Sequence, residues 1–254
     1  MAHLTLLLLL WVGVTVSTVV DLQRIIIGGN PCERQYHVKL RVPAGPSFIL
    51  CGGSLISDRW ILTAAQCLKP GRTMYADLSV HPGGQVQEVE ITAEPVIYTD
   101  NTSKRSHDIM LLQLQSPTDI QPIALPDCAD RPQIVEIAGH GATAGGPNDE
   151  RKPGNSPTLH CADVEVVDCE DLKNTLQEHF PKAYQVKVYQ HWFCGQTANV
   201  DICYGDSGGG AVYKDKIYGV ISFLGDPDHV CREPAAFMDL CNPDYTTWIN
   251  QTIT

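Results

Sequence analysis

Apolar and polar residues alternate over residues 36–42. Tyr36, Val38, Leu40 and Val42 fall on one face, and His37, Lys39 and Arg41 on the other. A period of two predicts a strand buried on one side. Runs rich in branched and aromatic residues predict further strands over 48–56, 60–63, 87–92 and 109–115. A second group is expected over 135–138, 158–167, 209–213, 217–223 and 236–240. Helical spacing enters only late. Leu172, Leu176 and Phe180 are four residues apart, with Asp168 placed as a cap. Asn242-Pro243-Asp244 then opens a C-terminal helix running to about Thr252, with a cap, a proline in the first turn and an acid behind it. A proline-rich crossing, 116–132, separates the two groups of strands, and 145–157 is a loop by composition. No internal repeat is present. The pattern predicts an all-β chain of two β-barrels in one unit, closed by a C-terminal helix.

Composition narrows the setting. Lys and Arg number 18 against 29 Asp and Glu, a net charge of −11. An acidic chain without clustered cations is poorly suited to nucleic acid or anionic membrane. Ten cysteines, an even and high number, predict disulfides and an oxidising compartment. Their spacing contains no C-x-x-C pair, so no metal and no cofactor is expected. The apolar, Leu-rich start reads as a signal peptide over 1–19, with an anchor helix as the alternative. Residues 20–25 read as a short propeptide. A secreted, extracellular monomer without a membrane span is therefore expected.

The candidate chemistry lies in residues 202–210, ICYGDSGGG. Ser207 stands between Asp206 and a run of glycines, which let a backbone approach closely and can turn N–H groups toward one point. A serine hydroxyl is a weak nucleophile until a base takes its proton. With this stretch the chain resembles the trypsin-like serine proteases of the chymotrypsin family. The resemblance extends over IIGGNPC from Ile26, CGGSLISDRWILTAAQC from Cys51, HDIMLLQL from His107, ALPDC from Ala124 and DICYGDSGGG from Asp201. It implies two packed six-stranded Greek-key β-barrels, the first over about 26–120 and the second over about 121–254. It also implies a triad of aspartate, histidine and serine between them.

Asp108 and Ser207 match two members of that triad, and Gln66 stands where the histidine is expected. An amide cannot become a cation near neutral pH, so it cannot relay the serine proton. His107 is the nearest substitute in sequence, but its neighbour Asp108 faces the other way on a strand. By the same resemblance, Gly205 and Ser207 supply an oxyanion hole. Asp201 is the floor of a pocket for Lys or Arg, and Ser222, Leu224 and Ala235 line its walls, with Leu224 and Ala235 replacing glycines. Leu224 is expected to obstruct the slot, leaving Asp201 as a polar floor holding water. Activation would follow cleavage after Arg24, with a new α-amine pairing to Asp206. Three isoleucines, Ile25, Ile26 and Ile27, put the register one residue long, and Ile26 is the terminus that restores it. Five bridges are implied: Cys32–Cys161, Cys51–Cys67, Cys128–Cys241, Cys169–Cys194 and Cys203–Cys231. Asn101 and Asn250 begin glycosylation sequons. The expected function is a secreted protease homologue, inactive through Gln66, that binds a protein or other extracellular ligand. The alternatives are residual or substrate-assisted cleavage after Arg or Lys, and a decoy for the partners of an active protease.

Overall fold

The structure, a computed structural model, describes residues 26–80, 84–142, 145–152 and 154–254. The leader and propeptide expectations, with Arg24 and Ile25, lie outside the described residues.

The strands follow in order as β1 (Asn30–Pro31), β2 (His37–Ala44), β3 (Ser47–Leu55), β4 (Trp60–Thr63), β5 (Met74–Leu78), β6 (Gln87–Ile91), β7 (Val96–Thr99) and β8 (Ser106–Gln113). After the proline-rich crossing come β9 (Ile134–Gly139) and β10 (His160–Val167). Two helices follow, α1 (Glu170–His179) and α2 (Pro181–Lys187). The chain ends with β11 (Trp192–Gln196), β12 (Gly210–Tyr213), β13 (Lys216–Phe223), β14 (Ala235–Asp239) and α3 (Pro243–Ile253). One sheet runs β6-β5-β2-β3-β4-β8-β7. The other runs β1-β10-β11-β14-β13-β12-β9, and a further β9–β10 pairing closes six of its strands into a ring. The six-strand expectation thus describes the closed ring of the second sheet, while each sheet contains seven strands in all. Asn30 and Pro31 lie at the start of the chain yet pair with Cys161 and His160 of the second sheet.

Local chemistry explains where the pattern was incomplete. β5 was not expected because Asp77 interrupts its apolar run. Asp77 is nevertheless buried, since Arg41 on the paired strand β2 donates from Nε at 2.6 Å and from Nη2 at 2.9 Å. A charge-assisted fork of this kind satisfies a carboxylate inside a sheet. α1 forms on the expected Leu172 and Leu176, both buried. Its cap position is Cys169 rather than Asp168, although the Asp168 carboxylate still accepts the Glu170 N–H at 2.7 Å. α2 is seven residues long, too short for periodicity to announce it.

The first sheet buries Val38, Leu40, Leu55, Ile61, Leu62 and the Ile109–Leu112 run, with Tyr245 and Ile249 of α3 packed beneath. The second surrounds Val135, Ile137, Ile202, Ile221 and Phe237, and Ile26 joins that cluster with no exposure. α3 begins as the sequence implies, with the Asn242 side chain accepting the Asp244 N–H at 3.0 Å. Asn242→Ala is therefore expected to cost about 1 kcal/mol, read as a lower midpoint in urea at unchanged slope.

Candidate functional site

The 202–210 segment is held by its backbone to both sheets. Gly52 N–H donates to Ser207 C=O at 2.8 Å, and Gly208 N–H donates to Ile221 C=O at 2.8 Å. Gly209 N–H donates to Asp206 C=O at 3.0 Å. Gly205 and Gly208 take φ of +106° and +87°. At Gly208 a Cβ would fall 2.2 Å from Thr63 Oγ1, so only glycine lets the loop sit this close to β4. Ser207 is partly exposed and borders a cleft of about 730 Å³ together with Gly205, Gln66, Tyr204, Leu50 and Lys69.

Gln66 ends up beside Asp108. It lies on a short turn after β4, tied to β3 by the Cys51–Cys67 disulfide. Its backbone N–H donates to Asp108 Oδ1 at 2.7 Å, and its side-chain Nε2 donates to the Ser222 carbonyl. Asp108 is buried on β8. Its other oxygen, Oδ2, accepts the Ser222 hydroxyl at 2.5 Å and the Lys187 ammonium at 3.3 Å. Lys187 is the last residue of α2, and its Nζ also lies 4.7 Å from the centre of the Phe223 ring. The Gln190 side chain accepts the Asp108 N–H at 2.7 Å. Sequence reasoning did not single out Lys187 or Gln190, because nothing local links α2 to a carboxylate some eighty residues earlier.

His107 faces away from this group. Its Nδ1 lies 2.6 Å from the Tyr245 hydroxyl, amid Tyr98, Tyr189 and His191. Burial, then the neighbouring His191, pushes its pKa down to about 4. It is a neutral member of an aromatic cluster.

Asp201 is also occupied in a way the sequence did not suggest. Its carboxylate meets Arg151, whose Nη2 stands 2.6 Å from Asp201 Oδ2, and the two side chains are 2 % and 5 % exposed. Cys231 N–H donates to the same oxygen at 2.8 Å, and Ile202 N–H to Oδ1 at 2.8 Å. Burial raises the Asp201 pKa against the pull of Arg151 and these amides. The expected water-filled floor is thus replaced by an ion pair. Leu224 is partly buried and packs on the second core with Ala235.

Four of the implied disulfides are formed: Cys32–Cys161, Cys51–Cys67, Cys128–Cys241 and Cys169–Cys194. The fifth is a correction. Cys203 and Cys231 are free thiols. The Arg151 guanidinium lies between their segments, donating to Ile202 C=O beside Cys203 and to His229 C=O two residues before Cys231. Cys203 Sγ turns instead toward Lys152 C=O at 3.6 Å. Burial raises both thiol pKa values, that of Cys231 to about 11.

Asp206 is fully buried, with Oδ1 accepting Gly141 N–H at 2.7 Å and Oδ2 accepting Cys203 N–H at 2.8 Å. Burial lifts its pKa to about 7 despite those two donors. Asn101 and Asn250 are both exposed. Among the described residues, no group of three His, Cys, Asp or Glu side chains is placed to hold a metal ion, and no helix is long and apolar enough to cross a membrane.

A buried aspartate and a glycine-bound serine at the meeting of two β sheets match what comparison with known proteins finds. The Trypsin family model matches residues 26–249. The chain belongs to the trypsin-like serine protease family. It is 32 % identical to mouse Kallikrein-8 over 217 residues, covering 81 % of this chain and 77 % of that protein. It is 31 % identical to rat Serine protease 1 over 264 aligned positions, covering 98 % of each chain. Among solved structures, mouse neuropsin, described as a serine protease, superposes with a TM-score of 0.66 at 29 % identity, covering 89 % of this chain and 99 % of that one. A scabies mite protein described as an inactivated protease paralogue superposes with a TM-score of 0.69 at 22 % identity, covering 90 % of this chain and 97 % of that one, and speaks to the fold alone.

Proposed function

We propose that this trypsin-family chain is a secreted binding protein that does not hydrolyse peptide bonds. The observation that carries the reading is the commitment of Asp108. A catalytic aspartate serves by holding an imidazole toward the serine. Here Asp108 is taken by the Gln66 backbone N–H, the Ser222 hydroxyl and the Lys187 ammonium. The Gln66 side chain donates to a carbonyl and has no proton-accepting nitrogen for Ser207. Asp108 then serves as a buried, satisfied carboxylate, and Ser207 as a small residue in a tight loop. The Gly205 and Ser207 N–H groups would offer a site for a carboxylate or water. The cleft beside Ser207 is the natural contact surface for a protein partner. Four disulfides fit an extracellular setting, and exposed Asn101, in the turn between β7 and β8, is the better glycan acceptor of the two sequons. Ile26 is the terminus proposed for the processed form, since its side chain already fills the core beside Ile202.

Protein processed at Ile26 is expected to leave arginine and lysine ester and peptide substrates intact, and to take up no phosphonyl group at Ser207. Rapid hydrolysis that Ser207→Ala abolishes would overturn the reading. Hydrolysis confined to peptides carrying a histidine beside the cleavage residue would favour substrate-assisted catalysis instead.

A further inference from the structure

The segment 145–152 folds back over the Asp201 pocket and puts one side chain into it. Two backbone hydrogen bonds fasten the segment to the opposite loop: Arg151 N–H to Asp228 C=O at 2.7 Å and Val230 N–H to Asp149 C=O at 2.9 Å. Glu150 and His229 form an antiparallel bridge between them. The Arg151 side chain then runs inward. Nε donates to Asp226 C=O at 3.1 Å, Nη1 to Ile202 C=O at 2.5 Å, and Nη2 to both His229 C=O at 2.9 Å and Asp201 Oδ2 at 2.6 Å. Three carbonyls and one carboxylate thus surround a single guanidinium, nearly exhausting its five donors. At 2 % exposure this is a built cation site, and its occupant belongs to the same chain. The void that remains beside Asp201, Ile202 and Ala235 is about 10 Å³, close to one water.

We propose that Arg151 is an internal occupant of the Asp201 pocket, and that the pocket admits a guanidinium or amidinium of another molecule only when segment 145–152 withdraws. The charge logic is direct. Removing Arg151 leaves Asp201 buried with only the Cys231 and Ile202 amides, which creates a demand for an external cation of the same shape. The occupant is tethered, so it competes at a high effective concentration against any ligand in solution. Occupancy of the pocket by Arg151 does not depend on the Gln66 group or on whether the chain hydrolyses peptides.

Benzamidine, a planar aryl amidinium, is the probe, and binding is read by calorimetry. Wild-type protein is expected to bind it at least ~100-fold more weakly than Arg151→Ser, corresponding to a pocket open in about 1 % of molecules. Adding Asp201→Asn to Arg151→Ser is expected to remove the gain. Equal affinity in wild type and Arg151→Ser would overturn the proposal, as would a folded Arg151→Ser protein that binds no better. A second measurement needs no variant. Phenylglyoxal modifies accessible arginines, and mass spectrometry of the intact wild-type protein is expected to find exposed Arg59 modified well before Arg151. Addition of benzamidine at saturating concentration should then raise the Arg151 rate as the probe displaces it. Arg151 reacting as fast as Arg59 without the probe would overturn the internal occupancy even if the variants fail to fold.

Discussion

Gln66→His combined with Arg151→Ser, in protein that begins at Ile26, is expected to raise hydrolysis of an arginine ester by ~10³-fold or more over the starting protein. The size follows from what each change restores. In the worked case of subtilisin, losing the histidine base costs on the order of 10⁶ in turnover. Recovering even a small part of that is readily measured. A histidine at 66 would stand next to Asp108, whose Oδ1 already lies 2.7 Å from the residue 66 N–H. That carboxylate can hold one imidazole nitrogen and stabilise the imidazolium that forms when the other takes the Ser207 proton. Lys187 opposes the change, because its ammonium already holds Asp108 Oδ2 and a second cation there is disfavoured. Lys187→Ala on the double variant should therefore increase the rate further. Gln66→His alone is expected to remain close to background on an arginine ester, since Arg151 already pairs with Asp201, the proposed floor of the pocket. If that single variant matches the double, the pocket is open and Arg151 is not the obstacle. If the folded double variant is inert, the remaining departures are Leu224, tested by Leu224→Gly, and the unbridged Cys203 and Cys231.

The gross architecture was legible because its signals are local. Strand alternation at 36–42, the glycines at 208–210 and the Asn242 cap each act within a few residues of themselves, and β2, the serine loop and α3 follow from them. What escaped is what distance brings together. Asp77 breaks the β5 pattern until Arg41 from the neighbouring strand is known to neutralise it. Lys187 reaches Asp108 only because the chain turns at Phe180, between two helices, and directs the end of α2 at β8. Arg151 sits in a loop whose Gly, Pro and Asn content marks it as exposed, yet its side chain is among the most enclosed charges in the chain. The expected Cys203–Cys231 bridge came from the family pattern alone, which carries no account of the guanidinium that lies between those two segments. Glycine-to-leucine replacement at 224 was visible in sequence, but the larger obstruction beside Asp201 comes from fifty residues upstream.

At pH 7, Asp206→Asn is expected to change stability with opposite sign before and after processing at Ile26. In the chain that still carries the residues before Ile26, Asp206 is buried with two amide donors and, among the described residues, no ion pair. A Cβ at Gly139 or Gly141 would fall 1.9 Å or 2.7 Å from its Oδ1, so the carboxyl fits closely and has little room for added water. Its pKa of about 7 lies above the value of 3.8 proper to an unfolded chain. The folded state therefore binds the extra proton between those limits. The stability that proton confers is complete below pH 3.8 and is lost as pH rises through 7, by on the order of 4 kcal/mol. Asparagine cannot ionise, so the variant escapes that loss, while giving up one amide hydrogen bond at about 1–3 kcal/mol. Relative to wild type, Asp206→Asn should thus gain stability from pH 4 to about pH 7 and level off above it, read from urea midpoints at each pH. His37, His107 and His140, all held neutral by burial, weaken both proteins equally as pH falls and cancel in the difference. A difference that stays flat across that range would rule out a neutral buried Asp206. In protein processed to begin at Ile26, an α-ammonium at that terminus is the expected partner of Asp206. Removing the carboxylate would then strand a buried cation and cost ~3–5 kcal/mol at pH 7.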